Sequence, residues 1–101
     1  MRDNFVAKKS VILGHMHFDK KGDALTFFKE ILNRYTPGEN VSDEDGEMLS
    51  LALANHPEAS KKIGSGISYF SVRAAEYGTQ CFEVNRTDNT CERFSYIACL
   101  K

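Results

Sequence analysis

The periodicity of this chain changes once, across His56–Ile67, and that change limits the folds open to it. Upstream, apolar residues recur at helical spacing; downstream, they alternate. Inside the switch, Pro57 lacks an amide proton and restricts His56, which ends a helix there. Gly64 and Gly66 then permit a sharp reversal, because glycine enters positive φ without strain. Helices first and strands afterwards, within 101 residues, describe a single α+β domain with one core.

Ala24, Phe27, Phe28, Ile31, Leu32 and Tyr35 fall at the i, i+3, i+4, i+7, i+8, i+11 spacing of one helical face. Lys29, Glu30, Asn33 and Arg34 take the other side; Asp19 or Lys20 marks the start and Pro37-Gly38 the end. This aromatic stripe reads as core. Ser42 caps a second helix, with Asp45 placed to reach back as in a capping box. Asp43, Glu44 and Asp45 suit the positive end of that helix dipole. With Glu47 they lack calcium-loop spacing, so capping is preferred to a metal site. Met48, Leu49, Ala52 and Leu53 form the buried face, and Leu51, off that stripe, is expected to meet another part of the core.

Residues 1–8 carry no pattern and are expected to be a flexible tail ahead of a domain over 9–101. Lys9–Phe18 reads as one strand, with Ile12, Met16 and Phe18 on one side and His15 and His17 on the other. Those histidines lack a third ligand and read as surface residues. Beyond the switch come three strands, Gly66–Ala74, Gln80–Arg86 and Cys91–Leu100. A three-residue loop, Thr87-Asp88-Asn89, gathers Phe82, Val84, Phe94, Tyr96 and Ala98 on one face and sets Glu83 across from Arg93. A two-residue loop would instead mix Phe94 and Tyr96 with Glu83 and Asn85. Burial of one large aromatic is worth about 1.5–3 kcal/mol, so the apolar set selects the longer loop. Asn89 then takes the left-handed position. The expected architecture is a two-layer sandwich in the order β-α-α-β-β-β, two helices on one face of an antiparallel sheet.

A net charge of −1 gives no global field toward polyanions, so any such site is a local patch. No apolar run is long enough to span a membrane, and the start does not read as a secretory signal. Cys81, Cys91 and Cys99 lack metal or redox spacing and read as reduced thiols of a cytoplasmic protein.

The order of motifs resembles the DCL domain, a family named for the plant protein "defective chloroplasts and leaves". The resemblance rests on Phe18…Ala24…Phe27-Phe28…Ile31-Leu32, then Asp45…Leu49…His56-Pro57, then Lys62-Ile63-Gly64-Ser65-Gly66-Ile67. Cys81-Phe82…Arg86-Thr87-Asp88 and Phe94-Ser95-Tyr96…Cys99 complete it, over roughly residues 9–101. It implies work near RNA or DNA, since plant members are linked to plastid ribosomal RNA maturation and a related domain ends a plant RNA polymerase subunit. It implies no catalytic mechanism. The chain departs from the family at Asp88-Asn89, where Asp-Gly is common, and lacks the basic extensions of some members.

Three functions follow as expectations. In the first, a binding module grips RNA, or DNA, at the central turn. Lys61 and Lys62 supply charge, and amides near Gly64, Ser65 and Gly66 form an anion cradle. Arg73, Arg86 and Arg93 extend the patch and Tyr69 stacks on a base. In the second, the outer sheet face, with Tyr69, Cys81, Ile97 and Cys99 beside Arg93 and Glu83, docks on a nuclease, polymerase or RNA-maturation complex, or on a second copy. In the third, an enzyme uses His56, but no nucleophile, phosphate-loop or metal motif accompanies it, so no cofactor and no activity are expected. His56, Pro57, Asp88 and Asn89 are read as structural turn residues.

Overall fold

The computed structural model describes residues 10–100; the expected 1–8 tail lies outside them. The chain forms β1 (Val11–Leu13), β2 (Met16–Phe18), α1 (Lys21–Leu32), α2 (Asp43–Leu53), α3 (Ala59–Ile63), β3 (Ile67–Ala74), β4 (Gln80–Arg86), β5 (Cys91–Phe94) and α4 (Tyr96–Cys99). The α+β architecture is as the periodicities imply. Helices α1 and α2 pack on one face of the antiparallel sheet β3-β4-β5, and β1-β2 form a separate hairpin.

The core is the junction of the two layers. Phe28, Ile31 and Leu32 of α1 and Leu49, Ala52 and Leu53 of α2 are buried against Phe70, Val72, Phe82, Val84 and Phe94. Phe82 and Phe94 lie opposite one another with ring centroids 6.0 Å apart, and Glu83 faces Arg93, as the three-residue loop requires. Asn89 adopts φ 69°, and Asp88 accepts from the Thr90 amide at 3.1 Å and its hydroxyl at 2.5 Å. The outer edge of β3 is covered by residues 38–41. The Gly38 amide donates to Val72 O at 2.8 Å and the Val41 amide to Phe70 O at 2.9 Å.

Four local expectations are corrected. Lys9–Phe18 is not one strand, because Gly14 at φ 60° reverses the chain and pairs Leu13 with Met16 and Val11 with Phe18. This buries Val11 and Leu13 and leaves Ile12 66% exposed, the opposite of the single-strand parity. Tyr35 lies past the end of α1, which stops at Leu32 before Pro37-Gly38. The turn after Pro57 contains one further short helix, α3. Finally, β5 stops at Phe94. The Ser95 hydroxyl accepts the Ile97 amide at 3.2 Å, and Asn55 Nδ2 donates to Cys99 O at 2.6 Å. The alternation of Tyr96 and Ala98 therefore bends into α4, and Ile97 and Cys99, both expected on the outer sheet face, lie on that helix instead, Ile97 half exposed and Cys99 buried with Leu100.

Candidate functional site

The structure gathers Lys61, Lys62, Gly64, Ser65, Gly66 and Arg86 at one end of the sheet, where they clamp α3 to the β4–β5 hairpin. The Lys62 amide donates to Glu58 O (2.9 Å), the Gly64 amide to Ser60 O (2.9 Å) and the Gly66 amide to Ile63 O (3.0 Å). These three amides are therefore engaged by the backbone of the turn itself. Lys62 Nζ donates to Glu92 Oε2 at 2.5 Å and to Arg93 O at 3.3 Å, with its side chain only 14% exposed. Arg86 lies alongside, its Nε on Lys62 O at 2.9 Å and its Nη2 on Glu92 Oε1 at 2.5 Å. Gly64, at φ 53°, leaves room for this guanidinium, since a Cβ there would meet Arg86 Cδ at 3.0 Å. The Lys62 hydrogen bond, followed by that from Arg86, holds the Glu92 carboxyl below its ordinary range. The Thr87 hydroxyl donates to Ser65 Oγ at 3.1 Å, tying the turn to the hairpin loop.

The remaining cations lie on the outer face of the sheet. Arg73 pairs with Glu83 at 3.0 Å, and Arg93 pairs with Glu76 at 3.2 Å. Among the described residues, Lys61 has no carboxylate within ion-pair distance, and Tyr69 is exposed. His56 fixes its turn, accepting the Glu58 amide on Nδ1 at 2.9 Å.

A cleft of about 660 Å³ opens where β5 turns away into α4. Tyr96 and the half-exposed Ile97 are the apolar side chains that reach its surface, with the buried Phe82 and Phe94 behind them and Gln80 and Lys62 among its polar residues. At its rim Glu76-Tyr77-Gly78-Thr79 makes a tight turn, closed by the Thr79 amide on Glu76 O at 3.2 Å. Tyr77 (φ 60°, ψ 35°) and Gly78 (φ 74°) are both left-handed. Asparagine or glycine favours the first of these positions, whereas an aromatic is strained there. Tyr77 is nonetheless fully exposed, and Ile97 is 50% exposed. Sequence reasoning missed Tyr77 and Gln80; the available signal was Tyr77-Gly78 between two alternating segments, a hairpin turn with the wrong first residue.

Fold and site define a small two-layer α+β domain with a rimmed surface cleft. No cluster of metal-ligating side chains and no helix long and apolar enough to cross a membrane occurs among the described residues. Residues 29–100 match the family described as proteins of unknown function, DUF3223, and the chain belongs to that family. The solution NMR structure of an uncharacterized protein from Rhodospirillum rubrum is similar at a TM-score of 0.84 and 51% identity, covering 94% of this chain and 92% of that one. The chain is 37% identical over 73 residues to DNA-directed RNA polymerase IV subunit 1 of Arabidopsis thaliana, covering 71% of this chain and 5% of the subunit. It is 34% identical over 80 residues to Protein DCL, chloroplastic, of Solanum lycopersicum, covering 74% of this chain and 36% of that protein. Protein EMBRYO DEFECTIVE 514 of Arabidopsis thaliana is 32% identical over 92 residues, covering 89% of this chain and 46% of that protein. The chain thus spans less than half the length of each of these curated relatives.

Proposed function

We propose that this is a DCL-type, non-enzymatic docking module that binds a protein of nucleic-acid-processing machinery in the cytoplasm. One observation carries the reading. Lys62, Arg73, Arg86 and Arg93 already hold carboxylates within the fold, while Ile97 stands half exposed on the wall of the cleft and Tyr77 is fully exposed next to Glu76 of the same wall. A phosphate at the central turn would have to displace Glu92 from two cations, whereas a protein surface covering Ile97 gains by removing apolar area from water. The similarity to a segment that is 5% of a polymerase subunit supports a module working within larger assemblies.

The test is co-purification of the tagged full chain from its own cells, with and without nuclease. Docking predicts an associated assembly that survives nuclease and is lost on Ile97→Asp with an unchanged melting temperature. Release by nuclease, steep salt sensitivity and loss on Lys61→Glu would assign direct contact with RNA or DNA instead.

A further inference from the structure

We infer that the cleft receives an extended, uncharged segment of a partner protein, paired with the main chain of Gln80 and covered by Tyr77. The inference rests on the docking reading and names its mode.

The first support is a step in the sheet. Strand β4 begins at Gln80, which pairs with Ala74 of β3, but β5 reaches only Phe94, opposite Phe82. The Arg86 amide donates to Thr90 O at 2.8 Å, so the two strands exchange hydrogen bonds at 86/90, 84/92 and 82/94. The same alternation turns the Gln80 N–H and C=O toward the side that β5 has left for α4. That is the cleft, which Gln80, Phe94 and Tyr96 all line. An exposed strand edge of this kind is the template for strand addition.

The second support is the match of charge. The ionic residues of the cleft wall are Lys62, Arg93, Glu58 and Glu76, two of each sign, and Arg93 is paired with Glu76. A segment without net charge enters without burying an unmatched ion. Its side chain on the helix-facing side would meet the accessible apolar surface of Tyr96 and Ile97.

The third support is independent of both. Tyr77 holds a left-handed backbone while its ring touches nothing in its own fold. Strain retained at a fully exposed aromatic one residue beyond Glu76, which lines the cleft, fits a binding anchor.

The experiment pans a display library of random short peptides on the full chain, then measures the enriched peptides by titration and amide hydrogen exchange. Alternating apolar, uncharged sequences are expected to enrich and to slow exchange of the Gln80 amide about tenfold or more. Tyr77→Ala should weaken them about tenfold, as for an aromatic anchor, and Ile97→Asp should weaken them at unchanged melting temperature. The inference is overturned by absence of enrichment, by binding indifferent to both substitutions, or by unaltered Gln80 exchange. It is equally overturned by sedimentation of a dimer that Tyr77→Ala dissociates, which would put a second copy in the cleft. If these fail while nuclease-resistant co-purification persists, docking stands and strand addition falls; if nuclease releases the assembly, the docking reading itself falls.

Discussion

Lys62 and Glu92 meet at 2.5 Å across the gap between α3 and β5. Glu92 simultaneously takes Arg86 on its other oxygen, so one carboxylate anchors a helix and a hairpin together. The basic turn is therefore a clamp within the fold. Its two glycines serve the same end: Gly64 admits the Arg86 side chain, and Gly66 O accepts the Thr87 amide at 3.0 Å.

Replacing Glu92 by glutamine should cost about 1–2 kcal/mol, the scale of a charge-assisted hydrogen bond, because Lys62 and Arg86 keep their positions without the charge that balanced them. Urea denaturation at neutral pH measures it. The wild type carries the same dependence in its pH profile. The folded Glu92 carboxyl titrates below its ordinary 4.5, so its contribution is complete above that value and is lost as pH falls through the lower folded one. Glu92→Gln should flatten this acid limb. The substitution also leaves two cations without their counter-charge, and salt-sensitive RNA retention should rise above that of the wild type.

A second clamp closes the loop between α1 and α2. The Tyr35 hydroxyl donates to Asp45 Oδ2 at 2.6 Å and accepts the Ser42 amide at 3.1 Å. Asp45 is buried and also accepts from Arg34 Nη1 at 2.7 Å, while its amide donates to the Ser42 hydroxyl at 3.2 Å. The tyrosine thus stands between the two ends of the expected capping box. Tyr35→Phe should destabilise by about 1–2 kcal/mol, since it leaves one oxygen of a buried carboxylate short of a donor. Asp45→Ala should cost more than Tyr35→Phe in the same melts.

The thiols should separate by reactivity. Cys91 is exposed, with its thiol raised chiefly by the neighbouring Glu83 carboxylate; Cys99 is fully buried, and burial pushes it up to about 12. Alkylation of the native protein should mark Cys91 first, and Cys99 only at the rate of unfolding. Mass spectrometry of the digested protein reads the order. Early labelling of Cys99 would show α4 to be open.

These cases mark how far the sequence reaches. Phe28, Leu49, Leu53, Phe82 and Phe94 were legible as core because each sits in a repeated pattern, and one register choice placed Glu83 opposite Arg93. Leu51, off its helical stripe, packs on the β1–β2 turn, where a Cβ on Gly14 would lie 2.5 Å from Leu51 Cδ2. The hairpin itself was hidden because Val11-Ile12-Leu13 is apolar throughout, so parity could be read either way. Strand β5 is shorter than its alternation implies for a related reason. The alternation of Phe94, Tyr96 and Ala98 suits a strand, but long-range anchoring of α4 by Asn55 decides the outcome. Ion-pair partners were the least visible part of the site. The Arg73–Glu83 and Arg93–Glu76 pairs follow from sheet geometry, which residue identity alone does not supply.

Tyr77 offers the sharpest separation of stability from binding. Its φ of 60° costs an ordinary L-residue about 1–2 kcal/mol, and asparagine tolerates that region better than an aromatic. Because the ring makes no contact within the fold, its removal forfeits nothing there, so Tyr77→Asn should stabilise by about 0.5–1 kcal/mol in urea melts. A residue retained at the expense of folding free energy should be needed elsewhere, and the same variant should lose the associated assembly in co-purification. A stabilised variant that keeps its partners would leave the ring without a docking role. A destabilised one would mean that the turn depends on the tyrosine in a way its exposure hides.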